Sequence, residues 1–279
     1  MLVKKHLEAE NEHNPFELFP KRAVQMLRDM DFKKLNGSRL DFLHPIITEL
    51  EQWVFNAHFD EWKAIHDALS HDDFNLLNQA YCDWETDLED DFTGSLNQAQ
   101  KDTQISEYLL WSRFERLLKK EVGLLQSLTS EKRVLFVGSG PFPVSAIMFK
   151  RLTGIGLDCI DCHEGAVDAS KDLLNTFEID DINIIHHSAE TFDYSDYDIV
   201  IVALLAKPKE RILDKISTSG KHSVSVICRT SQGPRSLLYD PTSITNNINR
   251  LWDISDFHLA KGKTEDTISS LLLKKTNRG

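Results

Sequence analysis

The chain has 279 residues, 41% of them hydrophobic and 27% charged, with a formal net charge of −12. That is the make-up of an ordinary globular protein with material for one large core or two smaller ones. The acidity disfavours nucleic acid as a partner, since phosphates demand compensating Lys and Arg, and no apolar run approaches the roughly 20 residues of a membrane helix.

The opening MLVKKHLEAENEHN lacks the apolar core of a signal peptide, so the cytoplasm is the expected compartment. From there to about residue 130 the chain reads as helices. FPKRAVQMLRDM, PIITELEQWVFNAHFDEWKAIHDAL and ISEYLLWSRFERLLKKEVGLLQSL repeat apolar residues at three- and four-residue spacing. Pro15, Pro20, Gly37 and Pro45 punctuate the first part, and Trp53, Phe55, Phe59 and Trp62 recur at helical spacing as expected core residues. From Arg133 short apolar runs (RVLFV, GIGLDCID, INIIH, DIVIVALL, HSVSVIC) alternate with helical stretches (PVSAIMFKRL, EGAVDASKDLLNTF, KPKERILDKIS). That alternation predicts a parallel sheet with helices on both faces. WDISDFHLA and TISSLLLKK flank the polar KGKTED as an antiparallel hairpin. The expected architecture is α/β: a Rossmann-like, class I methyltransferase-type sheet over 131–279, preceded by an all-helical domain over 1–130, with the boundary near Thr129–Lys132.

Four cysteines are too few for a disulfide framework. Cys159 and Cys162 form a C-x-x-C without a second ligand pair, so all four are expected to be buried structural residues. The histidines are scattered, and no metal site is expected.

The first strand runs into Gly138-Ser139-Gly140-Pro141 and then a helix. Glycines permit a sharp turn and close approach of a ligand, and a helix N-terminus offers free N–H groups. The third glycine of the dinucleotide fingerprint is absent, Phe142 following Pro141. Asp161 ends the second strand about twenty residues on, where an acid can accept hydrogen bonds from ribose hydroxyls; a turn residue capping the next helix is the alternative. Ser188 and Ala189 follow the third strand, at the expected adenine edge. Ala203 and Leu204 end the fourth, beside the reacting end of a bound nucleoside.

Three segments in order resemble the nicotianamine synthase family. VLFVGSGPFPVSAIMFKRL matches its Gly-Ser-Gly-Pro loop with a second proline, and YDIVIVALL matches its fourth strand. CRTSQGPRSLLYDP matches its Arg–Gly–Arg–Leu–Tyr pattern through Arg229, Gly233, Arg235, Leu238 and Tyr239. In the helical half, YCDWETDLEDDF resembles the family's acidic helix, and YLLWSRFE, from Tyr108, resembles a tyrosine-led segment. The family's Phe-Pro-Tyr-Tyr approach to that tyrosine is replaced by QISE.

The resemblance implies S-adenosylmethionine as co-substrate, without a metal, and transfer of its aminobutyrate arm with release of 5′-methylthioadenosine. Bacterial relatives of about this length add one unit to histidine in making opine metallophores such as staphylopine and pseudopaline. The short chain and divergent N-terminal half point to that branch. The implied partners are therefore an amino acid acceptor, histidine of either hand, and a downstream opine-type dehydrogenase; an exposed apolar face on the helical half would add a homodimer.

The acceptor amine is protonated in water at neutral pH and must lose its proton, so a base beside it is required. On a helical projection Tyr81, Trp84, Leu88 and Phe92 form an apolar stripe. Glu85 lies nearest its centre, about 55° away, Glu89 farther out, and Asp83, Asp87 and Asp90 face away. Glu85 is the acid expected to be buried, with a raised pKa, and the family's catalytic glutamate falls on it. Glu89 is expected to hold a substrate ammonium, and Tyr108, by resemblance, to bond the reacting amine. Arg229 and Arg235 are candidates for a substrate carboxylate, with interdomain salt bridges the alternative. A small-molecule methyltransferase and a non-catalytic cofactor-binding module are the competing functions.

Overall fold

The computed structural model describes residues 19–30, 37–98, 105–125 and 128–276; the opening segment and Pro15 lie outside them. Helix α1 (Phe19–Arg28) buries Phe19, Ala23, Val24 and Leu27 on one face. Helix α2 (Arg39–Asn56) opens with a capping box, in which the Ser38 hydroxyl accepts from the Asp41 N–H at 3.1 Å and the Asp41 carboxylate accepts from the Ser38 N–H at 3.2 Å. It runs on through Pro45, which sits inside the helix and does not punctuate the chain there.

The long helix expected over PIITELEQWVFNAHFDEWKAIHDAL is broken at Ala57–His58, and α3 (Phe59–Ala68) starts afresh. The Glu61 carboxylate accepts the His58 N–H at 2.7 Å and starts the new helix with its own phase. Trp53 is accordingly fully buried, whereas Phe59, expected in the core, is 75% exposed. Helix α4 (His71–Gln98) carries the acidic segment, and a 3₁₀ turn at Ile105–Glu107 precedes α5 (Trp111–Leu124).

The second half alternates as expected: β1 (Val134–Val137), α6 (Val144–Thr153), β2 (Leu157–Asp161), α7 (Glu164–Thr176), β3 (Ile182–His186), β4 (Ile199–Val202), α8 (Lys209–Ser219) and β5 (Ser225–Thr230). A 3₁₀ turn at Gly233–Leu237 and α9 (Asn246–Leu251) lead into β6 (Trp252–His258) and β7 (Ser269–Lys275). The seven strands lie in the order β3-β2-β1-β4-β5-β7-β6. The first five are parallel, and β7 joins β5 and β6 antiparallel, closing the sheet with the expected hairpin. β1 and β4 are buried throughout, as strands covered by helices on both faces must be.

One apolar cluster runs from Leu43, Ile47 and Trp53 of the helical half through Leu118 and Phe142 to Phe136, Ile201 and Ile227 of the sheet. The other face packs Ile212, Leu213 and Ile216 of α8 on Val200, Val202 and Val226. The two halves therefore share a core. This brings α4 over the carboxyl ends of β1 and β4, where the strand order reverses and α/β sheets bind ligands.

Candidate active site

A cavity of about 690 Å³ opens at that reversal, within the roughly 300–1,000 Å³ of small-molecule sites. The glycine loop forms one wall. Gly138 and Gly140 sit at φ 81° and 69°, conformations that side chains resist. A Cβ on Gly138 would come 3.3 Å from the Ala203 Cβ and 3.2 Å from the Ala206 Cβ. The loop is held from below: Asp161 accepts the Gly140 N–H and the His163 N–H, both at 3.0 Å. The Ser170 hydroxyl of α7 donates to the Gly140 carbonyl at 2.6 Å. Each Asp161 oxygen keeps a second lone pair for a ligand. The Ser139 hydroxyl lines the cavity, buried and without a partner among the described residues. Pro141, Ser188, Ala189, Ala203 and Leu204 complete this wall.

Helix α4 supplies the opposite wall. Glu85 is 9% exposed and accepts a 2.5 Å hydrogen bond from the Tyr239 hydroxyl. Burial pushes its carboxyl up to about 7 against the opposing pull of Tyr239 and Arg113. Glu89, expected farther out, also faces the cavity. One of its oxygens lies 3.3 Å from where a Cβ on Gly140 would stand, and it accepts the Phe142 N–H. Burial and the neighbouring Glu85 charge hold it well above the usual carboxylate range. Two acids one helical turn apart thus face one wall, an arrangement in which both do not ionise easily. Asp83 and Asp87 turn outward onto Arg39, at 3.2 and 2.5 Å, as the projection expects. Asp90, expected to face away as well, reaches the cavity rim instead.

The Tyr108 ring packs between Phe92 and Phe142, at centroid distances of 5.3 and 4.8 Å. Its buried hydroxyl has no hydrogen-bond partner among the described residues, and Glu89 and Glu85 are the charges that most raise its pKa after burial. The carboxylate pair and the glycine loop therefore face each other across the cavity, while Tyr108 packs against Phe142 and does not line it.

Both arginines have protein partners, and Arg229 makes the interdomain salt bridge expected as the alternative to a substrate contact. Arg229 borders the cavity, but its Nε and Nη2 each donate to Glu121 at 2.9 Å and its Nη1 to the Ser145 hydroxyl at 3.0 Å. Arg235 donates to the carbonyls of Asp266, Gly262 and Thr264, bracing the loop before β7. Of the cysteines, Cys159 and Cys228 are buried and Cys82 half-buried, but Cys162 is exposed because it sits past the end of β2. Among the described residues no group of three His, Cys, Asp or Glu side chains is disposed to hold a metal.

Two residues at the site escape a reading of the sequence alone. Tyr239 is legible there only as part of a motif. Lys209 looks like one more surface lysine, yet its ammonium donates to the carbonyls of Ala203, Leu204 and Ala206 at 2.6, 2.7 and 3.2 Å. Burial lowers its pKa to about 8. Its place directly after Pro208, at the start of a helix below a strand end, is the available signal.

A crystal structure of a mutant of MtNAS in complex with S-adenosylmethionine superposes with a TM-score of 0.80 and 21% identity, over 95% of this chain and 99% of that one. MtNAS in complex with MTA and tNA gives 0.83 and 21%, over 95% and 100%. At that identity the likeness establishes the fold. A search of curated proteins found no match. The model of the nicotianamine synthase protein family matches residues 48–277, across both the acidic helix and the sheet. The chain belongs to the nicotianamine synthase family.

Proposed function

We propose that the protein transfers the 3-amino-3-carboxypropyl arm of S-adenosylmethionine to the amine of histidine, D or L, releasing 5′-methylthioadenosine. The product would be a metallophore precursor suited to an opine-type dehydrogenase. The observation that carries this reading is that Glu85 and Glu89 face the glycine loop across one cavity, in a chain of this family.

The residues fit the co-substrate. The loop's positive-φ glycines leave room for it, the orphaned Ser139 hydroxyl seeks a partner, and Asp161 has free lone pairs. We assign Gly138, Ser139, Gly140, Pro141 and Asp161 to its ribose and amino acid arm, Ser188 and Ala189 to its adenine edge, and Ala203 and Leu204 to the wall beside the sulfur. When bound, it supplies an electrophilic γ-carbon, and the nitrogen–carbon bond forms as the carbon–sulfur pair departs into a neutral thioether.

The chain's part is to orient the acceptor and take one proton. Glu85, at about 7, is poised to accept that proton near neutral pH. Glu89 shares the charge and holds the ammonium, and Tyr108 donates or accepts at the same nitrogen. A second reading gives the base role to Glu89, because its carboxylate lies closest to the loop at Gly140. Arg229 and Arg235 act as braces. We take 1–130 as the acceptor-covering half and 131–279 as the nucleoside-binding half.

The test is incubation with S-adenosylmethionine labelled in the aminobutyrate arm and either histidine enantiomer, followed by mass spectrometry. Labelled adduct plus methylthioadenosine is expected. Formation of S-adenosylhomocysteine would overturn the reading. Loss of adduct formation in Glu85→Gln but not Glu89→Gln would favour Glu85 as the base, and the converse Glu89.

A further inference from the structure

Behind Glu85 lies a second, small cavity of about 10 Å³, lined by Glu85, Arg113, His258, Asp266 and Thr267, with Phe114, Leu117 and Ile268. Glu85, Phe114 and Ile268 border both this cavity and the large one, so they form the partition between them. Two buried polar atoms of these lining residues, the His258 Nε2 and the Thr267 hydroxyl, have no hydrogen-bond partner among the described residues. Thr267 is 1% exposed. Leaving such atoms unpaired costs folding free energy comparable to a lost hydrogen bond each. A cavity of this size is at the lower limit for one water, and Glu85, His258 and Thr267 put polar groups into its otherwise largely apolar wall.

We propose that Glu85, His258 and Thr267 together bind one ordered water, which supports the ionised Glu85 carboxylate from the side opposite the substrate cavity. The water donates one hydrogen to Glu85 and the other to the His258 Nε2, and accepts from the Thr267 hydroxyl. Burial and Lys120 disfavour the charged form of His258, leaving its ring able to accept. The other titratable groups that feel Glu85 are Tyr239, Arg113, Glu51, Glu89, Tyr81, Cys82 and Tyr108, and Asp266 on the cavity wall is already paired with Arg116 and Lys120 at 2.9 and 2.7 Å. Thr267 and His258 are thus positioning residues: they never touch substrate.

This inference rests on Glu85 being the base, and its test separates the two ideas. A high-resolution crystal structure of the full chain is expected to show a water peak bonded to all three groups. Thr267→Val, which removes the hydroxyl at nearly constant shape, is expected to shift the acid limb of the kcat/KM profile upward by on the order of half a pH unit. The alkaline plateau should stay within about twofold of wild type. His258→Phe should give the same shift, and it serves where Thr267→Val fails a thermal-melt check. No bonded peak, or profiles that superpose on wild type, would overturn the proposal. If Glu85→Gln remains active, the base assignment falls, while the crystallographic peak alone still decides whether the water site exists.

Discussion

The Tyr239 hydroxyl donates a 2.5 Å hydrogen bond to the Glu85 carboxylate, two buried side chains 154 residues apart in sequence. The Tyr239 ring also meets Tyr81 edge-on at 4.7 Å, and the Tyr81 hydroxyl and Arg113 both bond to Glu51 at 2.5 Å. The acid on the helical half is thereby oriented from the sheet half and backed by an ion pair.

Removing that hydroxyl should be visible in the pH profile. A hydrogen bond to the ionised carboxylate lowers its pKa, so Tyr239→Phe is expected to move Glu85 above about 7. The acid limb of kcat/KM should shift upward by about one pH unit, a roughly tenfold loss below the limb. On the same shift, activity should recover about two units above the limb, near pH ~9. A pH-independent loss would mean that Tyr239 acts on geometry alone.

Glu85→Gln should trade activity for stability. Loss of the base is expected to lower kcat by about 10²–10⁴-fold. The folded carboxyl titrates at about 7 against 4.5 in the unfolded chain. The folded state therefore favours the proton, and its stability advantage, complete below 4.5, is lost as the pH rises through 7. Gln carries no such penalty. Denaturation curves should show the variant more stable than wild type at about pH 8, by on the order of a few kcal/mol. The two should approach each other near pH 4.5.

The Arg229–Glu121 pair offers a test of role. Both residues are buried, at 3% and 0% exposure of the side chain, and Ser270 adds a 2.6 Å hydrogen bond to Glu121. Arg229→Met alone leaves Glu121 buried and uncompensated, with an expected cost of about 3–5 kcal/mol in urea unfolding. Arg229→Met combined with Glu121→Leu should regain most of it. The KM of the acceptor in the double variant is expected within about threefold of wild type; a rise of two orders of magnitude would return Arg229 to substrate binding.

Lys209→Met deprives the Ala203, Leu204 and Ala206 carbonyls of their shared donor. The expected loss is about 1–3 kcal/mol of stability. The KM for S-adenosylmethionine should also rise, since Ala203 and Leu204 wall the cavity in which it is proposed to bind. Thermal melts and initial-rate kinetics read the two effects separately. An unchanged KM would confine Lys209 to a folding role.

Much of this is legible before any tertiary structure. β1 and β4 read as continuous apolar runs, because strands covered on both faces carry no polar alternation. The glycine loop follows from its place after β1, and Asp161 from its distance downstream. The inward position of Glu85 follows from helical geometry, since about 100° per residue fixes which side chains share a stripe. The same projection undervalues Glu89 and Asp90, because the loop that approaches α4 covers more of its circumference than the apolar stripe marks. The break at Ala57–His58 escapes too: its capping contact is local, but the apolar spacing continues across it, so the spacing puts Phe59 on a face it does not occupy.

The sequence by itself thus determined the class of sheet, the nucleoside-type loop and one acid of the site, because these depend on periodicity and short-range backbone geometry. Only the tertiary structure decided the partners of that acid. Tyr239, Arg113, His258 and Thr267 reach Glu85 or the small cavity beside it from α5, β6 and the segments after β5 and before β7. The long-range ion pair of Arg229 with Glu121 likewise engages a side chain that borders the site. Burial sets the pKa of Glu85 and the duties of both arginines, and burial arises only when α4 and α5 close over the sheet.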